Sequence, residues 1–300
     1  MAPQSVTKIA SASEDKTLRI WNLETGVCKL ILEGHSDSVN SVSFSHDSQK
    51  AVSTSCDNIV RVWNLNTGEC QHILNGHVYY VVSAVFSHNS QKVASASFDM
   101  SIRIWDMETE DCEWVLEGHS DGVWSVDISH DSKKVASASD DETIWIWDVG
   151  TGAHQQTLEG HVSSVTAVVF SPNSKTLISA SADNDIRIWD TNTGGCEQII
   201  GHGNDVEFMS LSDDLKWVIF AAADGKTRIW NFVTGRFDQV LESHRQAICS
   251  AVFSSGSNMV ASGSYDRTVR IRSIETGECV SVLEGHHDCV NSVAFSPGLR

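Results

Sequence analysis

The sequence predicts an all-β fold built from repeated four-stranded antiparallel units, and three observations support this prediction. A Gly-His pair recurs at 41- or 42-residue steps, at Gly34-His35, Gly76-His77, Gly118-His119, Gly160-His161, Gly201-His202 and Gly285-His286, with Ser243-His244 in its place once. Apolar residues alternate within each unit, as a half-buried strand requires. The incomplete unit at one end of the chain complements the incomplete unit at the other. A period of this length is typical of a propeller blade.

The first unit contains three predicted strands, at residues 8–13, 17–22 and 29–32, after a short polar tail. The unit that begins at His35 contains four, at residues 39–45, 51–55, 60–65 and 69–74. Most turns between the third and fourth strands carry Gly, as at Gly26 and Gly68, and Gly supplies the positive φ that such turns need. Glu110 replaces this Gly once, so we expect a looser turn there.

The chain ends just after the first strand of its last unit, at residues 290–296, and the first unit lacks only that strand. Pairing of the two terminal segments therefore gives seven complete blades and leaves no long sheet edge exposed. We expect residues 1–300 to form a single propeller domain, whose last blade is shared between residues 6–33 and 286–300. Stability needs no metal or disulfide.

Composition limits the functional classes. The chain has 21 basic and 39 acidic residues, a formal net charge of −18, which disfavours nucleic acids and anionic membranes as partners. Five of the eight cysteines, Cys28, Cys70, Cys112, Cys196 and Cys279, share one repeat position and are too far apart to pair, and Cys56, Cys249 and Cys289 are scattered. We expect reduced thiols in an intracellular protein of the cytoplasm or nucleus. The first eight residues lack the apolar core of a signal peptide.

The Gly-His pairs and the Trp residues late in each unit resemble those of the WD-repeat family. The resemblance implies that a His, a Ser, an Asp and a Trp of each unit form a hydrogen-bonded chain. Five sets match at constant offsets: His35, Ser53, Asp57 and Trp63; His77, Ser95, Asp99 and Trp105; His119, Ser137, Asp141 and Trp147; His161, Ser179, Asp183 and Trp189; and His286, Ser11, Asp15 and Trp21. Such a set invites comparison with a hydrolase triad, but a triad needs one exposed nucleophile beside an oxyanion site. Repetition around a ring favours a structural role.

Two units depart from this pattern. The His202 unit has Phe220 in the place of the Ser, and the His244 unit has Arg272 in the place of the Trp. We expect these adjacent blades to be the weakest. Another repeated set, His46, His88 and His130, invites a metal site, but residues one blade apart are too distant for a single ion. We interpret them as solvated turn residues.

The resemblance also implies that partners bind a ring face formed by the loop after Gly-His and the turn before the Asp. These positions differ between units, and aromatic residues concentrate on neighbouring blades at Tyr79, Tyr80, Phe98 and Trp124, near Asp121 and Asp140; Glu14, Glu207 and Tyr265 belong to the same predicted face. Aromatic anchors with a polar rim are typical of binding sites. The alternative is that some of these rings only plug the central channel. The acids favour a protein or peptide partner carrying Lys or Arg.

The sequence therefore predicts a non-catalytic interaction scaffold, a monomeric ring without cofactor or metal. No Gly-rich phosphate loop is present. The style of the repeats is similar to that of the sensor arrays of fungal signal-transducing NTPases with a NACHT domain, of the vegetative-incompatibility type. Two alternatives remain. One is a constitutive subunit of a ubiquitin-ligase, chromatin or trafficking complex, and the other is a propeller enzyme.

Overall fold

A computed structural model describes residues 8–201, 206–212, 214–222, 224–242 and 244–297. These residues form seven antiparallel sheets of four strands each. The predicted all-β, seven-bladed propeller is confirmed. Within the described ranges, the structure has no helix long and apolar enough to cross a membrane.

Six blades are continuous in sequence, each running from an inner to an outer strand. Their strands are β4 (Val39–Phe44), β5 (Lys50–Ser55), β6 (Val60–Asn64) and β7 (Cys70–Leu74) in blade 1; β8 (Val81–Phe86), β9 (Lys92–Ser97), β10 (Ser101–Asp106) and β11 (Cys112–Glu117) in blade 2; β12 (Val123–Ile128), β13 (Lys134–Ser139), β14 (Ile144–Asp148) and β15 (His154–Leu158) in blade 3; β16 (Val165–Phe170), β17 (Thr176–Ser181), β18 (Asp185–Asp190) and β19 (Cys196–Gly201) in blade 4; β20 (Val206–Leu211), β21 (Trp217–Ala222), β22 (Lys226–Asn231) and β23 (Arg236–Glu242) in blade 5; and β24 (Ile248–Phe253), β25 (Met259–Ser264), β26 (Thr268–Ser273) and β27 (Cys279–Glu284) in blade 6.

Blade 7 joins the two ends of the chain. Its strands, in spatial order, are β28 (Val290–Phe295), β1 (Lys8–Ser13), β2 (Leu18–Asn22) and β3 (Cys28–Leu32). β28 pairs antiparallel with β1, from Ile9 opposite Phe295 to Ser13 opposite Val290. The predicted closure is therefore confirmed, and the strands predicted around it differ from the observed ones by at most one residue at either end. Residues 6, 7 and 298–300 of the predicted blade lie outside the described part of the chain.

The second strand of each blade explains how the blades pack. In β5, β9 and β13, every residue after the first Lys is buried, so both faces of the strand are covered by neighbouring blades. Small residues fill these strands, as in the sequence Lys-Val-Ala-Ser-Ala-Ser of β9, because two twisted sheets approach closely there. The apolar core accordingly lies between blades: Leu18 of blade 7 and Val42 of blade 1 belong to one cluster.

Inner strands of neighbouring blades are joined by serine hydroxyls. Ser41, on β4, accepts a hydrogen bond of 3.3 Å from the backbone N–H of Ala84, on β8. Equivalent bonds of 3.2–3.4 Å run from Val126 to Ser83, from Val168 to Ser125, from Val293 to Ser250 and from Val42 to Ser292. The inner strands are the part of each blade nearest the axis, so a short side chain is long enough to reach the next blade.

The turn at Glu110 corrects one expectation. Glu110 has φ +66° and donates its backbone N–H to the Asp106 carbonyl at 3.0 Å. Gly68, in the corresponding turn of blade 1, has φ +78° and donates to the Asn64 carbonyl at 2.8 Å. The prediction of a looser turn is wrong, because Glu110 accepts the left-handed conformation and keeps the same bond.

Candidate recognition face and its supporting network

Each matched set of His, Ser, Asp and Trp forms one hydrogen-bonded chain from the loop to the blade. In blade 1, His35 Nδ1 lies 2.9 Å from Asp57 Oδ2, and His35 Nε2 lies 2.8 Å from Ser53 Oγ. Trp63 Nε1 donates to Ser53 Oγ at 2.8 Å. Since the Ser oxygen accepts from the indole, its own proton points to His Nε2. His35 Nδ1–H then donates to the carboxylate, which also accepts the Ser36 N–H at 2.9 Å.

The other four sets repeat this geometry. The His–Asp distances are 2.9 Å for His77 and Asp99, 2.7 Å for His119 and Asp141, 2.8 Å for His161 and Asp183, and 2.8 Å for His286 and Asp15. The Trp–Ser distances are 2.9 Å for Trp105 and Ser95, 3.0 Å for Trp147 and Ser137, 2.8 Å for Trp189 and Ser179, and 2.8 Å for Trp21 and Ser11. The His–Ser distances are 2.7–2.8 Å, with Ser11 and His286 joining the two ends of the chain.

The serine hydroxyls of these sets are not accessible. All five serines have no exposed surface. A nucleophile must reach a substrate carbonyl, and each of these oxygens is enclosed by its Trp and His. The network therefore holds the loop after each Gly-His pair against the blade that follows it.

Blades 5 and 6, which each lack one residue of the set, differ in what stands in its place. In blade 6, His244 still lies 2.9 Å from Asp266 and 2.8 Å from Ser262, while Arg272 donates from Nη1 to the Gly277 carbonyl at 2.9 Å. In blade 5, Phe220 is buried where the Ser would be. His202 lies outside the described residues.

The aromatic residues predicted for the recognition face form two contacting pairs. The rings of Tyr79 and Tyr80 stack, with centroids 4.4 Å apart and planes at 21°. Phe98 and Trp124 meet edge to face, with centroids 4.6 Å apart. The blade 3 loop leaves room for this contact through Gly122, where a Cβ atom would come within 2.7 Å of the Phe98 ring. We call these four residues the aromatic patch.

The aromatic patch is open to solvent. Tyr79 is 49% exposed, Tyr80 38% and Trp124 39%. Trp124 Nε1 donates to Asp140 Oδ1 at 2.7 Å, so the indole is held in position by an acid of the predicted face. Trp124 also lines the central channel, whereas Tyr79 and Tyr80 do not.

The sequence reasoning missed two apolar neighbours of the aromatic patch. Val78 is 78% exposed and Met100 is 45% exposed, and they flank Tyr79 and Phe98 along the chain. Met100 has φ +66°, a conformation that costs a non-Gly residue energy. The sequence signal was partial, because the residue after Gly-His is Ser in blades 1 and 3 but Val at positions 78 and 162, and Val162 is exposed as well.

Carboxylates surround the mouth of the channel beside the aromatic patch. A cavity of about 730 Å³ is lined by Trp124 and by Glu14, Asp37 and Asp288, among others. Burial and the neighbouring Asp288 raise the pKa of Glu14, which indicates that negative charges are crowded there. Asp121 is exposed on the loop before Trp124. The mouth therefore favours a cation.

Two other residues of the predicted face lie apart from the aromatic patch. Tyr265 is 49% exposed on blade 6, and its backbone N–H donates to the Ala247 carbonyl at 3.1 Å. The side chain of Glu207, on blade 5, lies outside the described part of the chain. The predicted residues thus spread over blades 2, 3, 5, 6 and 7, with the aromatic contacts concentrated on blades 2 and 3.

A carboxyl group inside the channel was also missed. Asp127 Oδ2 accepts the Phe170 N–H of blade 4 at 2.7 Å, and Oδ1 accepts the Ile128 N–H at 2.9 Å. Burial raises the pKa of Asp127 to about 7, against these two hydrogen bonds. The sequence does contain a signal for it, because Asp127 is an acid at a position where the other inner strands have small or apolar residues. These are Ser43, Val85, Val169, Ser210, Val252 and Ala294.

The turn histidines correct the expectation of separated side chains, while His46 and His130 are exposed to solvent as expected. The ring centroids of His46 and His88 are 3.9 Å apart, and those of His88 and His130 are 3.7 Å apart. One blade of separation is short at the inner strands, as the serine contacts show, so neighbouring rings are in contact, with their planes tilted by 46° and 39°. Among the described residues, no group of three His, Cys, Asp or Glu side chains has an arrangement that could hold a metal ion.

Comparison with known proteins identifies the repeat. The family described as "WD domain, G-beta repeat" matches residues 3–22, 26–64, 68–106, 110–148, 152–190, 194–231, 235–273 and 277–300. Each complete match begins at the outer strand of one blade and ends at the third strand of the next. The first and last matches are the two parts of one repeat, which meet in blade 7.

Individual relatives are similar over single repeats. Nuclear distribution protein PAC1 of Fusarium vanettenii is 50% identical over 46 residues, which are 15% of this chain and 10% of that protein. F-box-like/WD repeat-containing protein TBL1Y of Homo sapiens is 47% identical over 47 residues, 16% of this chain and 9% of that protein. Coronin-7 of Pongo abelii is 44% identical over 48 residues, 16% of this chain and 5% of that protein. The similarity thus spans a tenth or less of the length of these relatives.

Proposed function

The chain belongs to the WD40 repeat family, and on that premise we propose that it is a non-catalytic interaction platform whose aromatic patch binds a peptide segment carrying Lys or Arg. Propellers of this family generally bind proteins or peptides. The observation that carries the proposal is the pair of exposed aromatic contacts on blades 2 and 3, next to the acidic mouth of the channel.

The contacts of the aromatic patch suit a binding anchor. Tyr and Trp supply a large contact area at a low cost in conformational entropy. Tyr79 and Tyr80 already stack, and Trp124 is fixed by Asp140, so less freedom is lost on binding. A basic residue beside an apolar anchor would meet Asp121 and the carboxylates of the channel mouth. Rim charges of this kind act on the association rate and on specificity.

Selection from a display library of short random peptides tests the proposal with a defined ligand set. We expect the wild-type ring to enrich peptides that combine an aromatic or aliphatic residue with Lys or Arg. The variant Tyr80→Ala with Trp124→Ala should bind a selected peptide at least about tenfold more weakly, because hot-spot truncations cost about 2 kcal/mol or more. Asp121→Asn should lower the association rate and weaken its salt dependence.

Matched controls are available on the outer strands. Ile199→Ala with Val280→Ala removes two apolar side chains that are even more exposed, at 52% and 61%, and lie on outer strands. All variants should first show the wild-type melting temperature. Selected peptides that bind the Tyr80 and Trp124 variant as tightly as the wild type, or that are consistently acidic, would contradict this assignment of the face.

We also propose a biological setting, that of an intracellular sensor domain. The near-identity of units, such as the phrase Glu-Gly-His-Ser-Asp at residues 33–37 and 117–121, supports a sensor array of a fungal signal-transducing NTPase. All eight cysteines are unpaired, which supports an intracellular location. A constitutive subunit of a larger complex would use the same face with one fixed partner. Recovery of a single stoichiometric partner would favour it.

A further inference from the structure

Two cysteines of neighbouring blades lie in direct contact. Cys249 is on β24 of blade 6, and Cys289 immediately precedes β28 of blade 7. Their sulfur atoms are 3.5 Å apart, although 40 residues separate them in sequence. The sequence analysis treated these two thiols as scattered. A single repeat does not show that its inner strand contacts the loop just before the inner strand of the next blade.

The same contact occurs elsewhere in the ring with other side chains. Residues that correspond to Cys249 and Cys289 join blades 7 and 1, where Asn291 Nδ2 donates to Ser38 Oγ at 3.1 Å. Asn40, at the position of Cys249 in blade 1, donates to the Val81 carbonyl of blade 2 at 2.8 Å. The register of each inner strand shifts at this position, so the side chain has no opposite residue and extends to the next blade. This contact between blades therefore belongs to the scaffold, and between blades 6 and 7 it is made by two thiols.

We propose that Cys249 and Cys289 form a reversible disulfide that joins blade 6 to blade 7, with a low-molecular-weight disulfide such as glutathione disulfide as the oxidant. The sulfur atoms must approach from 3.5 Å to a bond length near 2 Å. The two sulfur atoms already meet across the blade boundary, so the remaining approach is short.

The two thiols have different roles in this exchange. Cys289 is 1% exposed, whereas Cys249 is half-buried and reachable from solvent. The Cys249 contact, burial and the carboxylates of Glu14 and Asp288 raise the pKa of Cys289. Cys249 is thus the thiol that meets the oxidant, and Cys289 is the one that resolves the intermediate.

The electron balance of the exchange is complete. The Cys249 thiolate attacks one sulfur of glutathione disulfide, whose S–S bond breaks and releases one glutathione thiolate. Cys289 then loses its proton to solvent and attacks Cys249 Sγ in the mixed disulfide, which releases the second glutathione. Two protein thiols are oxidised by two electrons, and one glutathione disulfide is reduced to two glutathione molecules.

The other six cysteines act as internal controls. Cys28, Cys70, Cys112, Cys196 and Cys279 each place their sulfur 3.3–3.5 Å from the carbonyl two residues further along the chain, in separate blades. Cys56 contacts Asn40. All eight cysteines belong to the described residues, and Cys249 with Cys289 is the pair whose sulfurs are in contact among them.

Peptide mapping after oxidation tests the proposal. The full chain is equilibrated with glutathione disulfide, the remaining thiols are alkylated at acidic pH, and the product is digested with trypsin. We expect a cross-link between the fragments of residues 246–267 and 273–300, and a mass loss of about 2 Da in the intact chain for the bond. Because the second fragment also contains Cys279, the link should persist in Cys279→Ser and disappear in Cys249→Ser and Cys289→Ser.

Thermal melting supplies a second readout. The oxidised wild type should melt about 5 °C or more above the reduced protein, because the bond closes a long loop and ties the C-terminal strand of blade 7 to blade 6. Dithiothreitol should reverse the shift, and Cys249→Ser should show none. Cys289→Ala replaces Cys289→Ser if the buried hydroxyl prevents folding. A link through Cys279, glutathione retained on Cys249, or disulfides only between chains would each overturn the proposal.

Discussion

Among single residues, the carboxylates of the His, Ser, Asp and Trp sets show how burial and hydrogen bonding compete. Burial alone would raise the pKa of Asp57, but the bonds from His35 and from the Ser36 and Ile59 N–H groups lower it to about 2. The same balance lowers the pKa of Asp15, Asp99 and Asp141. The ionised form is the one that the blade stabilises, which has a consequence at acidic pH.

Replacing Asp57 by Asn should lower the free energy of unfolding at pH 7 by about 2 kcal/mol. The folded pKa lies below the unfolded value, so the contribution of the carboxylate is complete above pH 4 and is lost as the pH falls towards about 2. Urea unfolding between pH 7 and pH 3 should show the two curves converging. Glu24→Gln, at an exposed hairpin position, is the control. A difference between Asp57→Asn and wild type that stays constant with pH would contradict this account.

Asp127 should behave in the opposite sense. Its pKa in the folded protein, about 7, lies above the unfolded value, so its contribution to stability is greatest below pH 4 and declines as the pH rises through 7. Asp127→Asn keeps an acceptor for the Phe170 N–H without a charge. We expect it to raise the free energy of unfolding by about 1–3 kcal/mol at pH 8, by less at pH 5, and to have little effect below pH 4. Asp121→Asn, on the exposed loop of the same blade, is the control in the same titration.

On the scale of the blade, blade 6 lacks one member of an otherwise complete set. His244, Ser262 and Asp266 are placed as in the matched blades, and Arg272 stands where those blades bury a Trp. Arg272→Trp should supply an N–H to Ser262 and apolar volume between blades, raising stability by about 1–2 kcal/mol. Chemical denaturation of Arg272→Trp and Arg272→Leu separates the two effects, because Leu adds no donor. If Arg272→Trp unfolds at a lower urea concentration than the wild type, the site cannot accept the ring.

The blade is also the scale at which sequence and structure agree best. Strand limits and the positive φ at the position of Gly68 recur in each unit, and so do the offsets from His35 to Asp57 and Trp63, except that blade 6 has Arg272 for the Trp. One unit therefore predicts most of the others. The contact of Cys249 with Cys289 and the ring contacts of His88 with His46 and His130 depend instead on the distance of the inner strands from the axis. That distance is set by seven sheets packing together, and no single repeat contains it. Glu110 shows the same limit, since its neighbours rather than its propensity fix its φ.

For the whole molecule, closure depends on one blade made from both ends of the chain. β28 pairs with β1, Lys8 N donates to Ser296 Oγ at 2.9 Å, and His286 binds Asp15 across the termini. Among the described residues, neighbouring blades are otherwise joined by the connecting loops, by side-chain packing and by contacts such as those of Ser41 and Ser83. Blade 7 therefore links the first and last segments by backbone hydrogen bonds, and the ring cannot open without breaking them.

A circular permutant measures what this closure contributes. If a short Gly-Ser linker joins residues 300 and 1, and new ends are placed between residues 33 and 34, all seven blades become continuous and no blade contains both ends. The strand contacts of blade 7 are kept, so we expect the permutant to fold into the same ring. It should melt several degrees lower and unfold faster, because the boundary between blades 7 and 1 then opens without breaking a sheet. Stopped-flow unfolding in urea gives the rate.

A control permutant with new ends at Thr67-Gly68, in the β6–β7 turn, splits blade 1 between both ends and should unfold at nearly the wild-type rate. Equal acceleration in both permutants would show that side-chain packing between blades, rather than the shared sheet, keeps the ring closed.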